Sequence, residues 1–244
     1  EVLSTFAQAA QTYTRSRSAL DRLDEVLREP AVGRGDAVAG GDGEPGLRLS
    51  EVAVGWPGAG PVQEGVELSV APGEQVAVVG PSGAGKTTLA ATVMGLIPPL
   101  AGDVRRGGRV GYLAQDAHIF ATTVAENVRI GNRDATDDDI RAALARAGLP
   151  LDPARRIGEA GTTLSGGERR RLALSRLLVG HPDVVILDEA TEHLDRETAA
   201  AIMDDVWREF ADVPMLVLTH DPELVARCTR VHALLPSSAS LTHH

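Results

Sequence analysis

Three continuous apolar runs constrain the fold of this chain more than any other feature of its sequence. Residues 75–80 (QVAVVG), 184–189 (VVILDE) and 215–220 (MLVLTH) are rich in valine, isoleucine and leucine. A strand that is apolar at successive positions has both faces buried, as in a parallel sheet covered by helices on both sides. Helical stretches at 137–147 and 166–179 lie between the runs. This order of elements predicts an α/β fold with a mainly parallel sheet.

The first apolar run leads directly into a glycine-rich loop, GPSGAGKT, at residues 80–87. The pattern G-x-x-x-x-G-K-[ST] between a strand and a helix is typical of a loop that holds nucleotide phosphates. Its glycines let backbone N–H groups approach the phosphates, and the helix that follows adds its N-terminal N–H donors. We therefore expect contacts with a nucleotide from Gly80, Ser82, Gly83, Ala84, Gly85, Lys86, Thr87 and Thr88.

Lys86 is the single lysine of the chain, because every other position counted as Lys or Arg is arginine. A lysine ammonium is a compact point charge on a thin stem, whereas an arginine guanidinium is a wide planar fork. We expect Lys86 to contact the β- and γ-phosphates, and the Thr87 hydroxyl to coordinate Mg²⁺. The loop therefore predicts ATP and Mg²⁺ as cofactors.

Asp188 and Glu189 end the second apolar run, at the carboxyl end of a strand, where open α/β sheets bind their ligands. The first carboxylate can hold Mg²⁺ through water, and the second can orient or deprotonate an attacking water. One acidic residue can simply end a strand. An acid pair that accompanies a phosphate loop favours a catalytic role for Glu189 and a metal role for Asp188.

The sequence LSGGE at residues 164–168 resembles the signature motif of ATP-binding-cassette (ABC) ATPases. The other motifs of that family occur in the expected order across residues 47–235, including EHLD at 192–195, which is similar to the D-loop. The resemblance implies a P-loop NTPase core with an antiparallel β subdomain. It also implies a helical subdomain, at about 115–180, that carries the signature motif.

The resemblance also implies roles for individual residues. Gln115 and His220 are similar to the Q-loop glutamine and the switch histidine, so they join Glu189 as catalytic residues, and Gln115 joins the ligands of Mg²⁺. Trp56 lies where the family carries an aromatic residue that stacks on adenine, although it could equally be a packing residue. The signature motif and the D-loop imply nucleotide contacts from Ser165, Gly166, Gly167 and Asp195.

The signature motif also predicts a partner. Ser165 and the N–H groups of the two glycines after it begin a helix, so they form a second anion-binding terminus. The resemblance implies that this terminus closes over ATP held by a partner subunit, in a head-to-tail dimer with two composite sites. A nucleic-acid partner is not expected, because the net charge is −10 and Arg169–Arg171 fit a solvated or ion-paired helix face.

The chain divides into four predicted segments. Residues 1–30 resemble the cytoplasmic end of the last transmembrane helix of a membrane domain that is itself absent from this chain. Residues 31–46 are glycine-rich and predict a flexible linker. Residues 47–236 form the expected nucleotide-binding domain, and 237–244 a tail whose last two histidines we interpret as a tag remnant.

Two further motifs suggest the kind of ABC protein. GEAG at 158–161 resembles the x-loop of ABC exporters, and DEATEHLD at 188–195 is similar to the CydC subunit type, which pairs with a CydD-like half-transporter. This implies export of cysteine or glutathione in support of cytochrome bd assembly, at the cytoplasmic face of the bacterial inner membrane. Ala190 replaces the usual proline, and the region after His220 lacks the usual strand pair of exporters.

Three alternatives remain open from the sequence. The first is the ATPase domain of another heterodimeric exporter, for lipid, peptide or drug. The second is a soluble ABC protein that acts on nucleic acid, and the third is a regulatory cassette that binds ATP without hydrolysing it.

Overall fold

The structure is a computed structural model that describes residues 17, 20, 46–114, 116–158, 161 and 163–235. The expectations for the tail and for nearly all of the N-terminal helix and the linker therefore lie outside the described residues. The same holds for Gln115 and for Glu159 and Ala160 of the predicted x-loop.

Eight strands and six helices make up the described region between Leu47 and Ala233. In chain order they are β1 (Leu47–Val54), β2 (Gln63–Val70), β3 (Gln75–Val79), α1 (Lys86–Met94), β4 (Ala101–Arg106), β5 (Val110–Leu113), α2 (Val124–Arg129), α3 (Asp137–Arg146), α4 (Gly166–Gly180), β6 (Val184–Asp188), α5 (Arg196–Glu209), β7 (Met215–Leu218), α6 (Pro222–Arg227) and β8 (Arg230–Ala233).

The three apolar runs form the centre of a five-stranded sheet with the order β5-β6-β7-β3-β8. Each neighbouring pair is parallel, with Ile186 opposite Leu216 and Val76 also opposite Leu216. Every residue of β6 and β7 is buried. The predicted parallel sheet is confirmed. Because the strands are parallel, the residues that follow β3, β6 and β7 meet at one edge of the sheet.

The two faces of this sheet are covered differently. One face packs against helices, including α4 and α5, through residues such as Leu172 and Ile202. The other face packs against α1, through Leu89, and against β1, through Leu49. β1 lies in an antiparallel sheet with the order β2-β1-β4. The expectation of helices on both faces is therefore only partly met, because the antiparallel sheet covers one face together with α1.

The helices also differ in how they begin. Five of the six described helices have an N-cap side chain that accepts a hydrogen bond from a backbone N–H of the first turn. The exception is α1, which begins after Gly85 at φ 86° and has no side-chain cap. The N–H donors of its first turn thus lack the side-chain acceptor that the other helices have. The five capping residues are Thr123, Thr136, Ser165, Asp195 and Asp221.

Candidate nucleotide site

The glycine loop connects β3 to the uncapped end of α1. Gly83 and Gly85 both have a positive φ, at 80° and 86°, which side chains rarely adopt. A Cβ at Gly85 would lie 2.8 Å from Cγ2 of Val62, whereas a Cβ at Gly83 would have no neighbour within 4 Å. The loop is therefore packed against the protein at Gly85 and open at Gly83. Such a cradle fits a phosphate group, as the sequence pattern predicts.

Lys86 lies folded back over this loop. Its Nζ donates to the carbonyl oxygen of Gly80 at 2.9 Å and to that of Pro81 at 3.5 Å. The same nitrogen lies 4.0 Å from Oε1 of Glu189, and the Lys86 side chain is 13% exposed. The ammonium group is thus held between the loop and a carboxylate. The Lys86 ammonium can therefore pair with a phosphate in the cradle without a large movement of its side chain.

Thr87 and Asp188 meet across the cleft, as a shared metal site requires. The Thr87 hydroxyl donates to Oδ2 of Asp188 at 3.2 Å, and the Tyr112 hydroxyl donates to the same oxygen at 2.8 Å. Asp188 is buried. Burial and the nearby Asp188 carboxylate raise the pKa of Tyr112, so its phenol stays protonated and acts as the donor. Hydroxyl and carboxylate oxygens are ligands that Mg²⁺ prefers.

Glu189 and His220 form a pair because β6 and β7 are parallel neighbours. Nδ1 of His220 lies 3.0 Å from Oε2 of Glu189. This hydrogen bond, together with the charge of Glu189, raises the pKa of His220. Glu189 has a φ of 47°, a left-handed conformation that is costly for a side chain with a Cβ. This turn places the Glu189 carboxylate between His220 and Lys86.

These residues line a single cleft of about 820 Å³. No group of three or more His, Cys, Asp or Glu suited to a metal occurs in the part of the chain that the structure describes. A Mg²⁺ ion beside Thr87 and Asp188 would complete its coordination with phosphate oxygens and water, as Mg²⁺ usually does at nucleotides. The cleft brings together these predicted site residues: Ser82, Gly83, Gly85, Lys86, Thr87, Thr88, Asp188, Glu189 and His220.

The predicted signature residues lie at a different place, where α4 begins. The Ser165 side chain accepts from the backbone N–H of Glu168 at 3.2 Å, and the Glu168 carboxylate accepts from the backbone N–H of Ser165 at 2.7 Å. Hydrogen bonds with Ser165 lower the pKa of Glu168. Asp195 caps α5 in a similar way, by accepting from the N–H of Thr198. Ser165, Gly166, Gly167 and Asp195 are not among the described residues that line the cleft.

Trp56 and Gln115 remain predictions. Trp56 is 56% exposed, in the turn between β1 and β2, and it is not among the described residues that line the cleft. The end of that turn contacts the glycine loop through Val62. Gln115 lies outside the described residues, although its neighbours Ala114 and Asp116 both line the cleft.

Sequence reasoning missed two residues near the site. Tyr112 gave no signal, because its contact with Asp188 depends on β5 lying beside β6. Arg170 was expected on a solvated or ion-paired face, but it is buried. Its guanidinium donates to the carbonyl oxygen of Ala114 and, at 3.4 Å, to that of Glu192. It therefore connects α4 to the segments that follow β5 and β6.

Comparison with known proteins identifies the family. Residues 63–192 match the family described as ABC transporter. The chain belongs to the ABC transporter family. Within this ABC transporter domain the matched segment contains the glycine loop, Asp188 and Glu189. In the described residues of the domain, no helix has the length and apolar character needed to cross a membrane.

Several relatives extend this identification. The mycobactin import ATP-binding/permease protein IrtB of Mycolicibacterium thermoresistibile is 33% identical over 264 residues, which covers 100% of this chain and 43% of IrtB. The mitochondrial potassium channel ATP-binding subunit of Rattus norvegicus is 38% identical over 174 residues, which covers 63% of this chain and 24% of that subunit. This ABC transporter domain thus spans less than half the length of either relative.

A solved structure agrees with the fold. A bacterial Atm1-family ABC exporter with ATP bound is similar with a TM-score of 0.75 and 26% identity, over 93% of this chain and 45% of that one. The chain is therefore an ABC transporter ATPase domain of exporter type, with the P-loop NTPase fold that the sequence predicts. These matches do not single out the CydC type.

Proposed function

We propose that this domain binds ATP with Mg²⁺ in the cleft described above and hydrolyses it there. The observation that carries the proposal is the convergence of three features in one cleft. These are the uncapped N-terminus of α1, the Lys86 ammonium group, and the carboxylates of Asp188 and Glu189. A site of this kind combines anion binding, a place for a hard cation and a base for water.

Each residue has a distinct role in this proposal. Lys86 and the N–H groups at the start of α1 hold the phosphates. Thr87 and Asp188 hold Mg²⁺, which when bound supplies positive charge that stabilises the phosphoryl oxygens. Glu189 orients the attacking water and accepts its proton. His220 holds the Glu189 carboxylate through the 3.0 Å contact, so the base keeps one orientation.

Two glutamates at the cleft provide the test. Glu189 and Glu192 both line it, and the Glu189 carboxylate lies 4.0 Å from Nζ of Lys86 and 3.0 Å from Nδ1 of His220. Glu189→Gln should lower ATP turnover by about 10²-fold or more while the domain still binds ATP. Glu192→Gln should keep turnover within a few-fold of the native domain. Equal activity in the native domain and Glu189→Gln would refute the assignment of the base.

We further propose that the α4 terminus serves ATP bound to a second cassette. Ser165, Gly166 and Gly167 begin a helix whose N–H groups suit an anion, yet they do not line this chain's own cleft among the described residues. A head-to-tail dimer would supply each cleft with the α4 terminus of the other cassette. ATP binding would then close the dimer, and hydrolysis would release it.

The activity of the whole protein is a further part of the proposal. The relatives named ATP-binding/permease protein are more than twice as long as this chain, and we assign their remaining length to the permease part that the name states. A groove of about 410 Å³ with both apolar and charged lining residues lies beside the edge strand β5, and Ile130 in its lining is 52% exposed. We assign this groove to the membrane domain, at the cytoplasmic face of the inner membrane.

An Ile130→Asp variant separates the two activities. The isolated domain should keep its ATP turnover, because Ile130 does not line the nucleotide cleft. In the full-length protein the same change should uncouple ATP hydrolysis from transport, because replacing an exposed apolar contact by an unpaired buried charge weakens docking. Unchanged transport by the full-length variant would exclude the groove as the docking site.

At the finest level we propose a CydC-type subunit that pairs with a CydD-like half-transporter, on the strength of DEATEHLD at 188–195. Purification of the full-length protein from its own host tests this. A stoichiometric second half-transporter and export of cysteine or glutathione are the expected results. A different cargo, such as a lipid, a peptide or a drug, would assign it to another exporter type. The net charge of −10 disfavours a nucleic-acid substrate.

A further inference from the structure

We propose that Tyr112 is a positioning residue for Asp188, and that its hydroxyl holds the Asp188 carboxylate in the orientation that Mg²⁺ binding needs. The proposal rests on the proposed function, because it concerns how the same cleft holds a metal ion. It adds a residue that neither the phosphate-loop pattern nor the acid pair identifies.

The first step is the geometry at one oxygen atom. Oδ2 of Asp188 accepts from the Tyr112 hydroxyl at 2.8 Å and from the Thr87 hydroxyl at 3.2 Å. Among the described residues, these are the hydrogen bonds that the Asp188 side chain makes. Two donors from different elements, β5 and α1, therefore fix one oxygen of the carboxylate and leave the other oxygen, Oδ1, available to a ligand.

The second step concerns what the two hydroxyls can do at the same time. A threonine hydroxyl can coordinate a cation through its oxygen and still donate its proton to a carboxylate. Thr87 can therefore remain bonded to Asp188 when a metal is present. The Tyr112 hydroxyl holds the same oxygen from the neighbouring strand β5, so the carboxylate cannot rotate freely around its Cβ–Cγ bond. Oδ1 is then ready to accept a hydrogen bond from metal-bound water.

The third step is the rigidity of Tyr112 itself. Its strand is paired in parallel with β6, and Tyr112 lies directly opposite Ile186, two residues before Asp188. The ring is half-buried and packs against the core shared by α1 and the strands. It also lines the nucleotide cleft. A hydroxyl on a ring held in this way loses little further freedom when it donates to Asp188.

Tyr112→Phe tests the assignment, because it removes the hydroxyl and keeps the ring. The measurement is the Kd of a fluorescent ATP analogue, once with Mg²⁺ and once with EDTA, together with the Mg²⁺ concentration that gives half-maximal binding. In Tyr112→Phe the required Mg²⁺ concentration should rise roughly tenfold or more, as expected for the loss of one hydrogen bond to a carboxylate. The affinity for the metal-free analogue should stay unchanged.

Ser175→Ala is the matched control, because it removes a buried hydroxyl that donates to Arg171 O in α4 and does not reach Asp188. It should bind the analogue like the native domain under both conditions. Equal Mg²⁺ dependence in Tyr112→Phe and the native domain would overturn the assignment, and so would an equal loss of affinity with and without Mg²⁺. If the native domain itself shows no Mg²⁺-dependent binding, the proposed function fails, and the role of Tyr112 fails with it.

Discussion

The N-termini of α1 and α4 are both glycine-rich, but their backbone N–H donors differ in whether a side chain of the same helix end accepts from them. At α1 the helix begins after Gly85 without a side-chain cap. At α4, Ser165 and Glu168 form a reciprocal capping box that satisfies donors within the chain. The α1 end also has the Lys86 ammonium folded over it, whereas the α4 end has a carboxylate from Glu168. The capping box uses the N–H groups of Ser165 and Glu168 and not those of Gly166 and Gly167, so the α4 end offers an anion fewer donors and a nearby negative charge.

This difference indicates when each end takes part in the proposed reaction. The α1 end can bind the phosphates of ATP in a single cassette. At the α4 end the capping box pairs the N–H groups of Ser165 and Glu168, and the Glu168 carboxylate lies beside the N–H groups of Gly166 and Gly167 that an anion would use. An approaching phosphate would have to compete with the Glu168 carboxylate, which favours a contact that forms only when two cassettes close together.

The largest expected effect comes from removing the charge at the α1 end. Lys86→Ala should lower ATP turnover by about 10²- to 10³-fold, as is typical when one donor that stabilises transition-state charge is lost. Lys86→Arg should also be impaired, because the guanidinium is a wide fork rather than a compact charge. Steady-state ATPase measurements check both variants. Near-normal turnover in Lys86→Arg would show that the site tolerates the fork.

The second prediction compares the two ends of α1. Gly85 and Gly95 flank this helix, and both have a positive φ, at 86° and 76°. Alanine at either position should lower the free energy of unfolding by about 1–2 kcal/mol, because of backbone strain. Only Gly85→Ala should also weaken ATP binding, by roughly tenfold or more, because it distorts the phosphate cradle. Denaturant unfolding and nucleotide titration separate the two effects. Equal ATP affinities in both variants would contradict the assignment of Gly85 to the phosphate cradle.

The third prediction compares two capping boxes. Ser165→Ala at α4 and Thr136→Ala at α3 each remove one N-cap side chain that belongs to a complete capping box. Each should lower the free energy of unfolding by about 1 kcal/mol. Only Ser165→Ala should also lower ATP turnover, because only α4 is assigned to the composite site. If both variants keep native turnover, the N-terminus of α4 has only a structural role, like that of α3, and takes no part in the reaction.

The smallest predicted effect concerns His220. Its hydrogen bond with Glu189 raises its pKa. The stability that this pair contributes is therefore fully present below the ordinary pKa of histidine and is lost as pH rises through the raised value. In Glu189→Gln the pKa of His220 should fall toward its ordinary value. An NMR titration of the imidazole protons measures this. An unchanged pKa in the variant would mean that another group holds His220.

Much of this site could be predicted from local sequence patterns. The strands of the parallel sheet were readable because continuous apolar runs have few other solutions, and the glycine loop has a fixed spacing. The acid pair followed because it ends one of those strands. The S-x-x-E pattern of Ser165 and Glu168 is also a capping-box signal, although it does not reveal that the box competes with an anion.

The remaining features depend on contacts between distant parts of the chain. The contact between Tyr112 and Asp188 needs the sheet order, since β5 and β6 are far apart in sequence. The burial of Arg170 follows from how α4 packs over the segments after β5 and β6. A short sequence motif specifies which residues are adjacent in the chain, but neither of these pairs is adjacent.

The central claim, that the α1 and α4 ends act on the same ATP only when they come from different cassettes, can be tested with two copies of the domain joined by a flexible linker. The linker keeps the two copies at a high effective concentration.

Lys86→Ala and Ser165→Ala are placed either in different copies or in the same copy. With the changes in different copies, one intact composite site remains, and the account predicts about half of the native tandem's ATP turnover. With both changes in one copy, each composite site carries one change, and the account predicts almost no turnover. The reverse pattern, inactive when separated and half-active when combined, would show that each site lies within one chain and would contradict the account.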